Sequence, residues 1–172
     1  MGDVLSESEI YVYSKRFLRN CGWTLIGGEP PGGSDGLPRI EAKHPEVDVK
    51  GSQGSKKVDI IAHRQGHVLL LELKSTFDRG DVEKLDELVG ERRWRRSLLK
   101  AFEERNALSR AGITDQALPQ GILSGEALVK GIGIGHRHQV PDEYVLVIGR
   151  SPTEFTAETG IKCPIDVSYF EE

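Results

Sequence analysis

Glu72-Leu73-Lys74 closes an otherwise apolar run, Val68-Leu-Leu-Leu71, and Asp59 stands 13 residues before Glu72. Side chains alternate along a strand, so Glu72 and Lys74 share one face while Leu71 and Leu73 take the other. Buried strands normally stay apolar, because burying a charge costs several kcal/mol (roughly 2–7 even for a neutral polar group) without compensation. Lys57 to His63 predicts one strand, Arg64-Gln-Gly-His67 a tight turn, and Val68 to Lys74 a second strand, which together make a β-hairpin. With Gln65-Gly66 as a two-residue loop, Arg64 pairs with His67 and opposed residue numbers sum to 131, which sets Asp59 across from Glu72. A longer, four-residue loop would leave the two on a diagonal.

Carboxylates facing each other across a ladder repel. A divalent cation between them turns that repulsion into binding, and Mg²⁺ takes one or two carboxylates while keeping several waters. Lys74, one pleat further on, is placed to orient or deprotonate an attacking water, or to neutralise a phosphate. That is the outline of metal-assisted hydrolysis. The competing reading makes Asp59 a solvated edge residue and Glu72–Lys74 a surface ion pair worth under about 1 kcal/mol.

Several elements must position these groups. Ser6 and Glu9 have capping-box spacing, so a helix is expected over 6–21, with Ile10, Ser14, Phe17 and Cys21 on one face, Tyr13 beside them, and Gly22 as terminator. Trp23 to Ile26 predicts a short strand. Residues 27–38 (GGEPPGGSDGLP) hold too many glycines and prolines for a regular element and are expected as a surface loop. Ile40 to Val49 reads as a ragged strand, and Gly51-Ser-Gln-Gly54 as a breaker. Beyond the hairpin, residues 81–108 predict a long helical segment with Leu85, Leu88, Leu99 and Phe102 in phase, bent or divided at Gly90. Residues 109–125 look irregular, 127–135 and 144–148 predict two strands, and the tail after Pro152 has weak strand character. The expectation is an α/β domain spanning 1–172, with 27–53 as an insertion.

Composition narrows the function classes. The chain has 172 residues, 37% hydrophobic and 29% charged, which is ordinary globular composition. The formal charge is −4, so a polyanion would have to be held by a local positive patch or through a metal ion. No apolar run approaches the roughly 18 residues of a membrane span. The opening MGDVLSESE has no apolar core and does not read as a signal peptide. Cys21 and Cys163 fit no CxxC pattern and are expected as reduced thiols in a cytoplasmic protein. No HExxH, GxSxG or P-loop is present.

Asp59 followed by Glu72-Leu73-Lys74 on the next strand, with a helix before and after, resembles the PD-(D/E)XK nuclease superfamily. The run Gly54-Ser-Lys-Lys-Val-Asp-Ile-Ile-Ala62 is especially similar to archaeal Holliday-junction resolvases. The resemblance is carried by residues 54–75 and, more loosely, by the flanking helices. It implies a restriction endonuclease-like αβββαβ core, with a mixed central sheet flanked by helices 6–21 and 81–106. It also implies that Asp59 and Glu72 ligate the metal by side chain, Leu73 by its carbonyl, and that Lys74 serves the attacking water. Val58 stands where the superfamily name has proline, and Tyr11 stands where resolvase-like relatives carry a helix-1 glutamate. Glu7, one turn earlier, is the candidate substitute; Glu9 is explained by capping. The insertion and the acidic charge depart from the compact resolvases.

Arg92, Arg93, Arg95 and Arg96 around Trp94, with Lys100, make a basic helical stretch. Together with Lys56 and Lys57 they are candidate nucleic-acid contacts. The alternative is a solvated face balanced by Asp81, Glu83, Asp86, Glu87, Glu103 and Glu104. Arg92 and Arg95 fall in the stripe of Leu88 and Leu99 and are expected to face the body of the protein. Gly131-Ile-Gly-Ile-Gly135 fails the dinucleotide pattern and suits a strand approached by another backbone. His136 and His138 alternate onto one face, as loop histidines or as a second metal or phosphate contact. The expected function is Mg²⁺-dependent cleavage of DNA, with Mn²⁺ able to substitute, by a protein working as a homodimer. The alternative is a non-catalytic nucleic-acid-binding or assembly module that keeps the fold.

Overall fold

The computed structural model describes residues 4–31, 35–46 and 54–172. The 47–49 end of the predicted ragged strand, most of the 51–54 breaker and positions 32–34 of the predicted loop lie outside the described residues.

Helix α1 (Glu7–Asn20) begins at the predicted capping box: the Glu9 N–H donates to Ser6 Oγ, and the Ser6 N–H donates to Glu9 Oε1. This satisfies donors that the first turn leaves without intrahelical partners. The face that α1 buries is Ile10, Tyr11, Ser14 and Leu18, so Ile10 and Ser14 lie as expected, while Tyr11 and Leu18 replace Phe17. Gly22, at φ +90°, turns the chain out of the helix. Strand β1 (Thr24–Gly28) runs two residues further than predicted. Gly27 and Gly28 are strand rather than loop because they pair with Ile61 and Ile60, and glycine suits the close approach there: a Cβ on Gly28 would stand 2.3 Å from Tyr11 Oη.

Part of the insertion folds back as β2 (Glu41–Ala42), which pairs with β3 (Lys56–Lys57) in a separate two-stranded ladder. The predicted strand 57–63 is therefore divided. Val58 and Asp59 form a joint, after which β4 (Ile60–Arg64) enters the main sheet and pairs with β5 (His67–Leu73). The predicted register holds, from Arg64 opposite His67 to Ile60 opposite Leu71. Gln65 and Gly66 both take positive φ, as a two-residue hairpin loop of the right twist requires.

The long helical segment is two helices, α2 (Arg79–Gly90) and α3 (Arg92–Glu104), separated by Glu91 in extended conformation. That break resets the helical phase. α3 buries Trp94, Leu98, Ala101 and Phe102, so Arg92 is exposed rather than facing the body, and Leu99 is only half-buried. The short helix α4 (Ala107–Arg110) straddles the end of the predicted helical segment, and the stretch expected to be irregular holds α5 (Leu118–Ser124). Strands β6 (Leu128–Ile134) and β7 (Tyr144–Ser151) follow, then β8 (Glu154–Thr159), a full edge strand where only weak character was expected, and a 3₁₀ turn at Val167–Phe170.

The protein is mixed α/β, built on a six-stranded sheet in the order β1-β4-β5-β6-β7-β8. β1, β4 and β5 are antiparallel neighbours, β5, β6 and β7 run parallel, and β8 is antiparallel to β7. β5 lies inside the sheet and is covered on both faces, which explains its continuous apolar run. Val68 and Leu70 pack with Leu85, Leu88, Trp94 and Phe102, whereas Leu69, Leu71 and Leu73 pack with Ile10, Tyr11 and Leu18. Each such side chain contributes about 1.5–3 kcal/mol on burial. Phe17 sits at the margin of the second layer, 5.9 Å from Phe155 and 6.4 Å from Phe170 between ring centroids.

Candidate active site

At the C-terminal end of β5 a cleft of about 340 Å³ opens between the first turns of α1 and α2 and the joint before β4. Asp59, Glu72, Leu73, Lys74 and Glu7 all line it. Asp59 reaches this position because it stands just outside the ladder. Its carbonyl accepts from the Glu29 N–H at 2.9 Å, and its Oδ2 accepts from the Leu73 N–H at 2.8 Å.

Glu72 is 2% exposed and belongs to the face of β5 turned toward α2. Burial, reinforced by the charge of Asp59 and a hydrogen bond with it, pushes the Glu72 carboxyl up to about 9, against the pull of Lys84. Burial and the neighbouring Asp59 thus favour the protonated form of Glu72, and Lys84 favours the ionised one. Lys84 Nζ stands 2.5 Å from Glu72 Oε1 as an ion pair, although Oε1 makes no well-aligned hydrogen bond. The same ammonium donates to the Lys57 carbonyl at 2.8 Å.

Lys74 follows the last residue of β5, and its N–H donates to the Gly133 carbonyl at 3.0 Å, fixing where its side chain departs. Its Nζ is 3.7 Å from Glu7 Oε1, which brings the helix-1 acid into the cleft through the lysine. The carboxylate of Asp81 is the largest of the influences that raise the Lys74 pKa, with Glu7 and Asp59 adding to it. Asp81 itself is 8% exposed and its Oδ2 makes no hydrogen bond; burial raises its pKa, opposed by Lys74 and Lys84. Tyr11 lines the cleft as a neutral phenol, because burial and its hydrogen bond to Asp35 (2.8 Å) raise its pKa.

Asp59, Glu72 and the Leu73 carbonyl offer the hard oxygen donors that Mg²⁺ prefers. The closely placed carboxyls of Asp59 and Glu72, and the buried Asp81 Oδ2 without a hydrogen bond, fit a cation beside them. Among the described residues, no three His, Cys, Asp or Glu side chains converge closely enough to hold an ion by themselves. The protein would thus offer two carboxylates and a carbonyl, with water completing the shell.

The basic candidates fall elsewhere, and none lines the cleft. Lys56 pairs with Glu87 at 3.3 Å and lies 4.7 Å over the Trp94 ring, and Lys57 pairs with Glu29 at 3.6 Å. Arg95 faces inward as expected, with Nε donating to the Leu123 carbonyl and Nη1 to that of Val89. Arg93 pairs with Glu91 and Glu46, whereas Arg92 and Arg96 are exposed on α3. His138 stacks on Phe77 with 3.9 Å between ring centroids, and His136 is 6.4 Å from His138. The glycines of β6 admit chiefly leucine side chains: a Cβ on Gly133 would stand 2.4 Å from Leu73 Cδ2, and one on Gly131 3.0 Å from Leu71 Cδ1 and 3.4 Å from the Val145 carbonyl oxygen.

Two cleft residues are not evident from the sequence motifs. Asp81 reads there as part of a solvated acidic face, and nothing in the motif singles out Lys84. Their signal is helical spacing, since Asp81, Lys84, Leu85 and Leu88 lie at i, i+3, i+4 and i+7, which places two charges in an inward stripe. No helix among the described residues is long and apolar enough to cross a membrane. No family model, curated protein or solved structure matches this chain.

Proposed function

We propose that this protein is a metal-dependent DNA endonuclease of the PD-(D/E)XK type, hydrolysing phosphodiester bonds at Asp59, Glu72 and Lys74. The observation that carries the reading is the arrival of Asp59, Glu72 and Lys74 in one cleft from a hairpin in the predicted register. The order α1, β1, β4, β5, α2–α3, β6, with β5 and β6 parallel, supports the αβββαβ core that the resemblance implies.

Asp59 and Glu72 would hold Mg²⁺ by side chain and Leu73 by its carbonyl. Bound there, the ion supplies Lewis acidity, activating water and offsetting charge on the phosphate. The Leu73 N–H fixes one oxygen of Asp59, which keeps that carboxylate aimed at Glu72. Lys74, kept protonated beside Glu7 and Asp81, orients the attacking water or stabilises negative charge at the scissile phosphate.

Labelled linear, branched and single-stranded DNA incubated with Mg²⁺ or Mn²⁺ tests this. Cutting of at least one substrate is expected, and Glu72→Ala and Lys74→Ala each lower its rate by about 10²-fold or more. Both variants retain a cooperative thermal transition. Wild-type rates in a Glu72→Ala, Lys74→Ala double variant would end the reading. The lack of three converging acidic or imidazole side chains among the described residues favours a second reading, a nucleic-acid-binding module that keeps the fold without turnover. That module would bind DNA and take up no Mn²⁺ at Asp59 and Glu72.

A further inference from the structure

Lys84 lies outside the D…ExK pattern, yet it is the cation paired with the buried Glu72. Its Nζ stands 2.5 Å from Glu72 Oε1 and donates to the Lys57 carbonyl at 2.8 Å. A carboxylate oxygen and a main-chain carbonyl are ligand types that a hard divalent cation also takes. The ammonium therefore occupies a cation's place beside the proposed metal position. We propose that Lys84 is a built-in second cation that limits this centre to one divalent ion.

The charges in the cleft support this. Glu7, Asp59, Glu72 and Asp81 carry four formal negative charges, and Lys74 and Lys84 two positive ones, leaving the two negative charges that one divalent ion neutralises. Glu29, also in the wall, is engaged by Lys57 at 3.6 Å and Arg39 at 3.7 Å. Asp81 supplies a second, independent observation. It lies three residues before Lys84 on the same face of α2, it is nine-tenths buried, and its Oδ2 has no hydrogen bond. Removing the Lys84 charge would leave Glu72 Oε1 and the Lys57 carbonyl without their cation, and Asp81 facing Lys74 alone.

The inference rests on Asp59, Glu72 and Leu73 being a metal site, and a Mn²⁺ titration of the full chain separates the two ideas. Calorimetry and electron paramagnetic resonance should give one Mn²⁺ per chain for the wild type. Lys84→Met, which keeps the aliphatic stem, should take two, with spin coupling between them. Lys84→Arg, which keeps the charge, should take one. A merely structural role for Lys84 would change stability without changing this stoichiometry. Should Lys84→Met fail to fold, Lys84→Gln carries the same expectation. Two ions on the wild type, or one ion on a folded charge-removing variant, overturns the role of Lys84 and leaves the metal site standing. No Mn²⁺ on the wild type overturns the metal site itself, and the inference with it.

Discussion

Glu72 is the side chain on which the proposed chemistry and the stability of the fold depend in opposite directions. Folding raises its pKa from 4.5 to about 9, chiefly by burial and then through Asp59. A carboxyl raised in this sense contributes stability that is fully present below about pH 4.5, declines as the pH rises, and is gone above about pH 9. The metal-free protein, held in EDTA, is therefore expected to lose stability from about pH 4.5 to about pH 9, and Glu72→Gln should flatten that slope. Binding of Mn²⁺ needs the carboxylate, so the stabilisation it brings should grow over the same interval. Denaturant titrations at several pH values, with and without Mn²⁺, check both. A wild-type profile parallel to that of Glu72→Gln would show that the carboxyl is already ionised. Asp59, Glu72 and Lys74 were legible in the sequence because a charged end on an apolar strand and a turn-defined register are local patterns, and Glu7 because the resemblance asks for an acid on the first helix. Asp81 and Lys84 share the helical spacing of Leu85 and Leu88, but charges are ordinarily read as a solvated face, and which cleft that stripe meets depends on how α2 sits against the sheet.

The elements show the same division between local and distant causes. The capping box at Ser6 and Glu9 and the Gln65-Gly66 turn act within a few residues, and both formed as expected. Loss of ladder pairing at Val58 and Asp59 follows from β3 joining β2, a partner from the insertion, so the joint that frees Asp59 could not be seen in the hairpin alone. Division of the long helix was legible at Gly90, but its effect on the inward face of α3 was not, because extended Glu91 resets the periodicity. β6 shows how an element far along the chain shapes the site. A Cβ at Gly133 would come within 2.4 Å of Leu73 Cδ2, at the residue whose carbonyl and N–H serve the proposed centre. Gly133→Ala should cost about 1–3 kcal/mol through overpacking. Because Leu73 must shift, the same variant should bind Mn²⁺ more weakly. Thermal melts and a Mn²⁺ titration check this, and a variant with wild-type affinity would mean that the end of β5 yields without moving its backbone.

At the scale of the molecule the sign of the charge decides how a nucleic acid could approach. The chain carries −4 overall, and the cleft adds uncompensated carboxylates where a phosphate would have to sit. Like charges about 4 Å apart repel by about 4 kcal/mol at an effective dielectric constant of 20, and salt reduces this less inside a cleft than on open surface. Arg92 and Arg96, exposed on α3, can draw a polyanion toward the protein, but they do not reach the cleft lining. A divalent ion at Asp59 and Glu72 would cancel the negative charge met at the one place where the backbone must come closest. Fluorescence anisotropy with labelled duplex should therefore show binding at least about tenfold tighter in Ca²⁺, used as a cation that limits turnover, than in EDTA at matched ionic strength. Asp59→Asn should shrink that difference, because the pair then holds the ion poorly. Replacing Arg92 and Arg96 by alanine should instead weaken binding in both conditions and lower the salt slope by about 2, one unit for each phosphate that an arginine no longer neutralises. Equal affinity in Ca²⁺ and EDTA would place the nucleic acid away from the cleft, on a surface where the two arginines, rather than a metal, set the affinity.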